Sequence, residues 1–176
     1  AIESMDRAIG FDPTATRHMQ RSELLMAAAL VPTFDRTPAQ RTEWLKRAEA
    51  DLNFGLGNDP GRGVQWLRLA VVRLGLEGPS QRSVEPLLMS IDTSPMMLPI
   101  WKARLHLILD NWQVFTPQQR EHVGIYVART WQLSPDKRWF AEAIRTPLDE
   151  LFVRYFVRDE PGAQDELTRL LAGKKK

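Results

Sequence analysis

The chain has 176 residues, with 24 Lys and Arg against 22 Asp and Glu, three His and a formal net charge of +2; 43% of its residues are apolar and 26% charged. That balance describes a globular chain long enough to bury a sizeable core, and excludes the disordered and fibrous classes. The absence of cysteine excludes disulfides, thiolate-held zinc, iron–sulfur clusters and a cysteine nucleophile. The longest apolar run, Leu24 to Val31, is far short of the ~18 residues of a membrane span.

In chain order, the first two predicted helices cover 2–10 and 15–30, divided by the turn Phe11-Asp12-Pro13. A third covers 38–55. It opens on Thr37-Pro38-Ala39-Gln40-Arg41, with proline where the first helical N–H lacks a partner, threonine at the N-cap and glutamine three residues on, which is a capping box. Gly55 to Gly63 around Asn58-Asp59-Pro60 reads as a helix end, a turn and a new start. No strand precedes it and no Gly-Lys-Ser/Thr follows, so it is not a phosphate loop. The fourth helix, 63–76, carries Val64, Leu67, Val71 and Leu74 on one face, and the fifth, 80–91, is expected to start at Pro79. The sixth, 98–113, places Trp101, Leu105, Ile108, Leu109 and Trp112 on one stripe. The seventh, 117–132, repeats the box as Thr116-Pro117-Gln118-Gln119-Arg120. Helices over 136–145, 147–158 and 162–172 complete the chain, the second of them opening on Thr146-Pro147-Leu148-Asp149. Connections of two to six residues predict antiparallel hairpins.

The prolines also reveal an internal repeat. Pro38, Pro79 and Pro117 are 41 and 38 residues apart, and the turn prolines Pro13, Pro60, Pro95 and Pro135 alternate with them at intervals of 47, 35 and 40. A period of roughly 40 residues signals a stacked array. Within it, Trp66-Leu67-Arg68-Leu69-Ala70 resembles the start of a tetratricopeptide repeat, with Pro95 within one residue of the expected closing proline. Ala8-Ile9-Gly10-Phe11-Asp12-Pro13 resembles the end of a preceding repeat. Arg73, Arg82 and Pro86 depart from the pattern, so the resemblance is to a degenerate array. It implies an all-α fold, antiparallel helix pairs stacked as a short right-handed α-solenoid, over one domain spanning 1–176. It also implies that the first helix is the second half of a pair, so that the chain is expected to be a fragment or a processed product. A cysteine-free chain suits cytosol and periplasm alike.

Chemistry is sparse. His18, His106 and His122 lie on three different predicted helices with no His-x-x-x-His spacing, so no metal site is expected. The pairs Glu43 with Glu49, Asp149 with Glu150 and Asp165 with Glu166 lack the apolar setting of a catalytic acid. No catalytic residue and no cofactor are expected. The six tryptophans read mainly as filler between helices, Trp101 and Trp112 as core residues of equal weight. Trp44 and Trp139, flanked by polar residues, are the candidates to line a groove.

Arginine outnumbers lysine 18 to 6, and residues 61–104 carry a balance of +3. Since the tetratricopeptide resemblance puts first helices on the concave face, Arg62, Arg68, Arg73 and Lys102 are the candidate partner-binding residues. The expected function is a non-enzymatic scaffold that binds a protein or peptide, acidic in character, or a subunit of a membrane-associated assembly. Two other classes stand beside it: a cell-envelope domain that binds or processes glycans, motivated by the tryptophans, and an RNA-binding helical repeat, motivated by arginine. A net charge of +2 is modest for nucleic acid. The terminal Lys174-Lys175-Lys176 reads as a frayed basic end.

Overall fold

The computed structural model describes residues 1–32 and 36–174; Lys175 and Lys176 of the predicted basic end lie outside them. Among the described residues every element is helical and there is no strand. The chain divides into two compact units, Ala1–Ser94 and Pro95–Lys176.

The first unit holds α1 (Ile2–Phe11), α2 (Ala15–Leu30), α3 (Pro38–Asn58), α4 (Gly63–Glu77) and α5 (Gln81–Thr93). Each packs on the next, and the pairs run antiparallel. Early α2 meets late α3, where Met19 lies against Gly55. Late α4 meets early α3, where Gly75 lies against Leu45, and the start of α4 meets the end of α5, where a Cβ on Gly63 would stand 2.6 Å from Ser94. Ser90 Oγ donates to the Gly63 carbonyl at 2.6 Å across the same approach. The core is Leu25, Ala29, Leu45, Ala48, Leu52, Leu56, Leu69 and Val72, with Trp44 and Trp66 packed against it.

The capping chemistry explains where helices begin. Thr37 with Gln40, and Thr116 with Gln119, form the reciprocal boxes their spacing predicts. Thr146 with Asp149 forms a third. Pro79 corrects the expectation of a helix start there: α5 begins at Gln81. Gly78 stands where Thr37 and Thr116 stand before their prolines, and it has no side chain to cap with. It turns the chain at φ 75° instead, and the N-cap moves to Ser80, whose N–H donates to Ser83 Oγ. Pro86 lies inside α5 and leaves the carbonyl four residues back, that of Arg82, without its helical donor. Arg73 of α4 donates to that carbonyl at 3.1 Å.

The second unit holds α6 (Trp101–Asn111), α7 (Pro117–Leu133), α8 (Arg138–Ala143), α9 (Pro147–Phe156) and α10 (Ala163–Lys174). The single helix predicted over 98–113 is α6 flanked by 3-10 turns at Leu98–Ile100 and Trp112–Val114. Here the packing also links helices two apart: α6 with α8, α7 with α9, and α8 with α10. Aromatics hold the unit together. Trp139 stacks on Phe140 at 3.8 Å, and Trp131 meets the same ring edge-on at 4.9 Å. The six-residue spacing of tryptophan after turn proline has a physical basis in both units: Trp66 Nε1 donates to the Pro60 carbonyl at 2.7 Å, and Trp101 Nε1 to the Pro95 carbonyl at 2.9 Å. Each indole therefore fastens the start of its own helix to the preceding turn.

Candidate functional site

The residues singled out in sequence as partner-binding are engaged within the molecule. Arg62, at the N-cap of α4, donates to Asp59 at 2.5 Å. Arg68 pairs with Glu23 of α2 and donates to Gln65. Arg73 pairs with Glu49 of α3 at 2.9 Å besides holding the Arg82 carbonyl. Lys102, in the second unit, pairs with Glu142 at 2.6 Å. Trp44 is half-buried against the first core. Trp139 is stacked on Phe140, lies 6.2 Å from Trp101, and donates its indole N–H to Ser134 Oγ. Their positions on the chain were readable; their intramolecular partners, up to 45 residues away, were not.

A second arrangement, unmarked in sequence, joins α1, α2 and α3. Asp51 is 2% exposed. It accepts a two-pronged contact from Arg21, both bonds 2.7 Å, and meets His18 Nδ1 at 2.6 Å. Arg21 also reaches Asp6 at 2.7 Å, and Arg47 reaches the same Asp6 oxygen at 2.8 Å. Burial opposes the charge on Asp6, but the bonds from Arg21 and Arg47 outweigh it and hold its pKa below the usual carboxylate value. α1 buries no residue fully, so this charge network is a principal tie between it and its neighbours. Every member is satisfied by another protein group, which makes it a structural clasp.

The histidines divide likewise. His18 packs its ring 4.3 Å from Phe54. His106 Nε2 is sealed without a hydrogen-bond partner among the described residues. Burial, then Arg145 and Lys102, push the His106 pKa below its ordinary value despite Asp110 and Asp149. An unfolded histidine titrates near pH 6.5. Between that value and the lower folded one the unfolded chain binds more protons, so this contribution to stability is full above about pH 6.5 and is lost as pH falls toward the folded pKa. Urea midpoints from about pH 8 to about pH 5 should therefore fall more steeply for the wild type than for His106→Gln; parallel curves would contradict the assignment.

The open chemistry is in the second unit, between α7 and α9. A cavity of about 630 Å³ has Trp112 and Phe156 at its floor, Gly124, Ile125 and Ala128 on the α7 wall, and Tyr155 opposite. Small side chains on α7 create it. Gly124 and Ala128 are one turn apart and too small to fill the space between the helices. On α9, Val153 and Phe156 are buried and Tyr155, 52% exposed, lines the cavity, while Leu148 and Leu151, 51% and 61% exposed, lie outside its lining. Ile125, 64% exposed, continues the apolar surface on α7.

Charges rim this groove. Arg158 lies 4.2 Å from the centre of the Tyr155 ring and 3.3 Å from Asp159. Arg120 lies over Trp112 at 5.1 Å, which fixes its guanidinium by a cation–π contact. Trp112 corrects the sequence reading of an ordinary core residue: it is half-buried, between Phe152 at 4.8 Å, Phe156 at 5.2 Å and the groove. A second hollow of about 730 Å³ lies between α9 and α10. Its arginines are already paired, Arg145 with Asp110 and Arg154 with Glu150.

Among the described residues no group of three His, Asp or Glu side chains is placed to hold a metal ion, and no helix is long and apolar enough to cross a membrane. Comparison with protein-family models, curated proteins and solved structures finds no match to this chain.

Proposed function

We propose that this chain is a non-enzymatic interaction module, a degenerate tetratricopeptide-like solenoid, which holds a peptide segment of a partner protein in the groove between α7 and α9. The antiparallel run from α1 to α5 supports the repeat reading, as do the two tryptophan-to-proline contacts 35 residues apart in sequence. The observation that carries the function is the exposed apolar wall of the groove, Ile125 with Tyr155, set over an aromatic floor. Large aromatic side chains in a concave site are the usual anchors of protein interfaces. Arg62, Arg68, Arg73 and Lys102 give less support to a binding face, because a partner carboxylate would have to displace an internal one.

The test is selection from a displayed random-peptide library. The wild type should enrich peptides sharing a large apolar anchor. The double variant Ile125→Ala/Tyr155→Ala should bind them at least ~10-fold more weakly, with an unchanged far-UV CD spectrum because both side chains are more than half exposed. Peptides that bind the double variant as well as the wild type, or no shared anchor at all, would defeat the proposal.

A further inference from the structure

Arg120 is the rim arginine of this groove that meets no carboxylate among the described residues. Arg62, Arg68, Arg73, Arg145, Arg154 and Arg158 each meet a carboxylate. Arg120 meets none among the described residues. One of its terminal nitrogens donates to the Trp112 carbonyl at 3.3 Å, its Nε is sealed without a partner, and its plane rests over the Trp112 ring. Asp159 on the same rim is beside Arg158, and Glu121, the next residue of α7, is exposed and forms no ion pair with Arg120. A guanidinium carries five N–H donors in a rigid fork that matches a carboxylate. The guanidinium is half-buried and held in place by an aromatic face; with Nε sealed and one terminal N–H on the Trp112 carbonyl, its other terminal N–H groups stand at the edge of an apolar cavity.

We propose that the segment bound in this groove carries an Asp or Glu beside its apolar anchor, and that Arg120 reads that carboxylate. The inference rests on the groove being the binding site. The anchor fills the space over Trp112 and Phe156 left by Gly124 and Ala128. The neighbouring acid then meets Arg120 with its orientation already fixed, so little side-chain freedom is lost on binding. The cation–π contact raises the selectivity of the arrangement, because a partner lysine at the same place would face a like charge that cannot swing away. The occupant is therefore an acidic-apolar peptide, and the rim charge of Arg158, engaged with Tyr155 and Asp159, plays no direct part.

The experiment uses the whole chain and the same displayed library, followed by titration of synthetic peptides. Enriched sequences should carry Asp or Glu within two residues of the anchor, and replacing that acid by its amide should weaken binding at least ~10-fold. Arg120→Glu should reverse the preference, binding a peptide with Lys at the acid position better than the parent. Arg120→Lys should keep the acidic preference at reduced affinity; it retains the charge over Trp112 and guards against a folding defect in the reversed variant. Enriched peptides that need Ile125 and Tyr155 but carry no acid, or that bind Arg120→Glu as tightly as the wild type, would overturn this inference and leave the groove reading standing. Peptides indifferent to Ile125→Ala/Tyr155→Ala would overturn both.

Discussion

Replacing Asp51 by alanine is expected to destabilise the first unit by about 3 kcal/mol, the lower end of the range for breaking a buried ion pair. The carboxylate is 2% exposed and takes three hydrogen bonds, two from Arg21 and one from His18. Removing it leaves a guanidinium that is 17% exposed without the partner that offsets its desolvation. Arg21 keeps Asp6, which is why the loss falls at the low end. A surface pair such as Arg138 with Asp136 is screened by solvent and would contribute far less. Chemical denaturation followed by far-UV CD reads the difference. Hydrogen exchange locates it, since α1 depends on Asp6 and its two arginines and should lose protection first. A midpoint within experimental error of the wild type would mean that the network adds no net stability.

Trp101→Ala is expected to cost about 3–5 kcal/mol as a large-to-small core truncation. Trp101 is 3% exposed, packs near Trp139, and donates its indole N–H to the Pro95 carbonyl. The substitution opens a cavity under α6 and also orphans that carbonyl at the turn. Trp112→Ala should cost distinctly less, because one side of that ring faces the groove and its loss breaks no side-chain hydrogen bond of its own. A smaller loss of stability with a larger loss of peptide binding is the signature expected of Trp112. Equal destabilisation by the two variants in urea would return Trp112 to the core and count against the groove.

The helices of this protein were legible because their signals are local. Thr37-Pro38-Ala39-Gln40 closes its box over three residues, and the stripe from Trp101 to Ile108 is a consequence of 3.6 residues per turn. Even the shifted start of α5 is local: Gly78 in place of threonine hands the cap to Ser80. The tryptophan-to-proline spacing also lies within a single turn-and-helix unit, so its recurrence could be counted before its hydrogen bond was seen.

What sequence could not decide is what each charge meets. Arg73 reads as an exposed cation until α5 is placed beside α4, and then it holds the carbonyl that Pro86 leaves free. Arg104 reads as part of a basic stretch, yet it is fully buried with the Tyr126 hydroxyl at 3.2 Å. Asp51 finds Arg21 and His18 across 30 and 33 residues. The physical reason is common to all three. Periodicity fixes the face on which a side chain lies, but the axial offset between packed helices selects its partner, and that offset is set by close contacts such as Gly55 with Met19 and Gly63 with Ser94. The groove has the same origin: small residues on α7 and the aromatics Tyr155 and Phe156 of α9 become a cavity only when those two helices lie side by side.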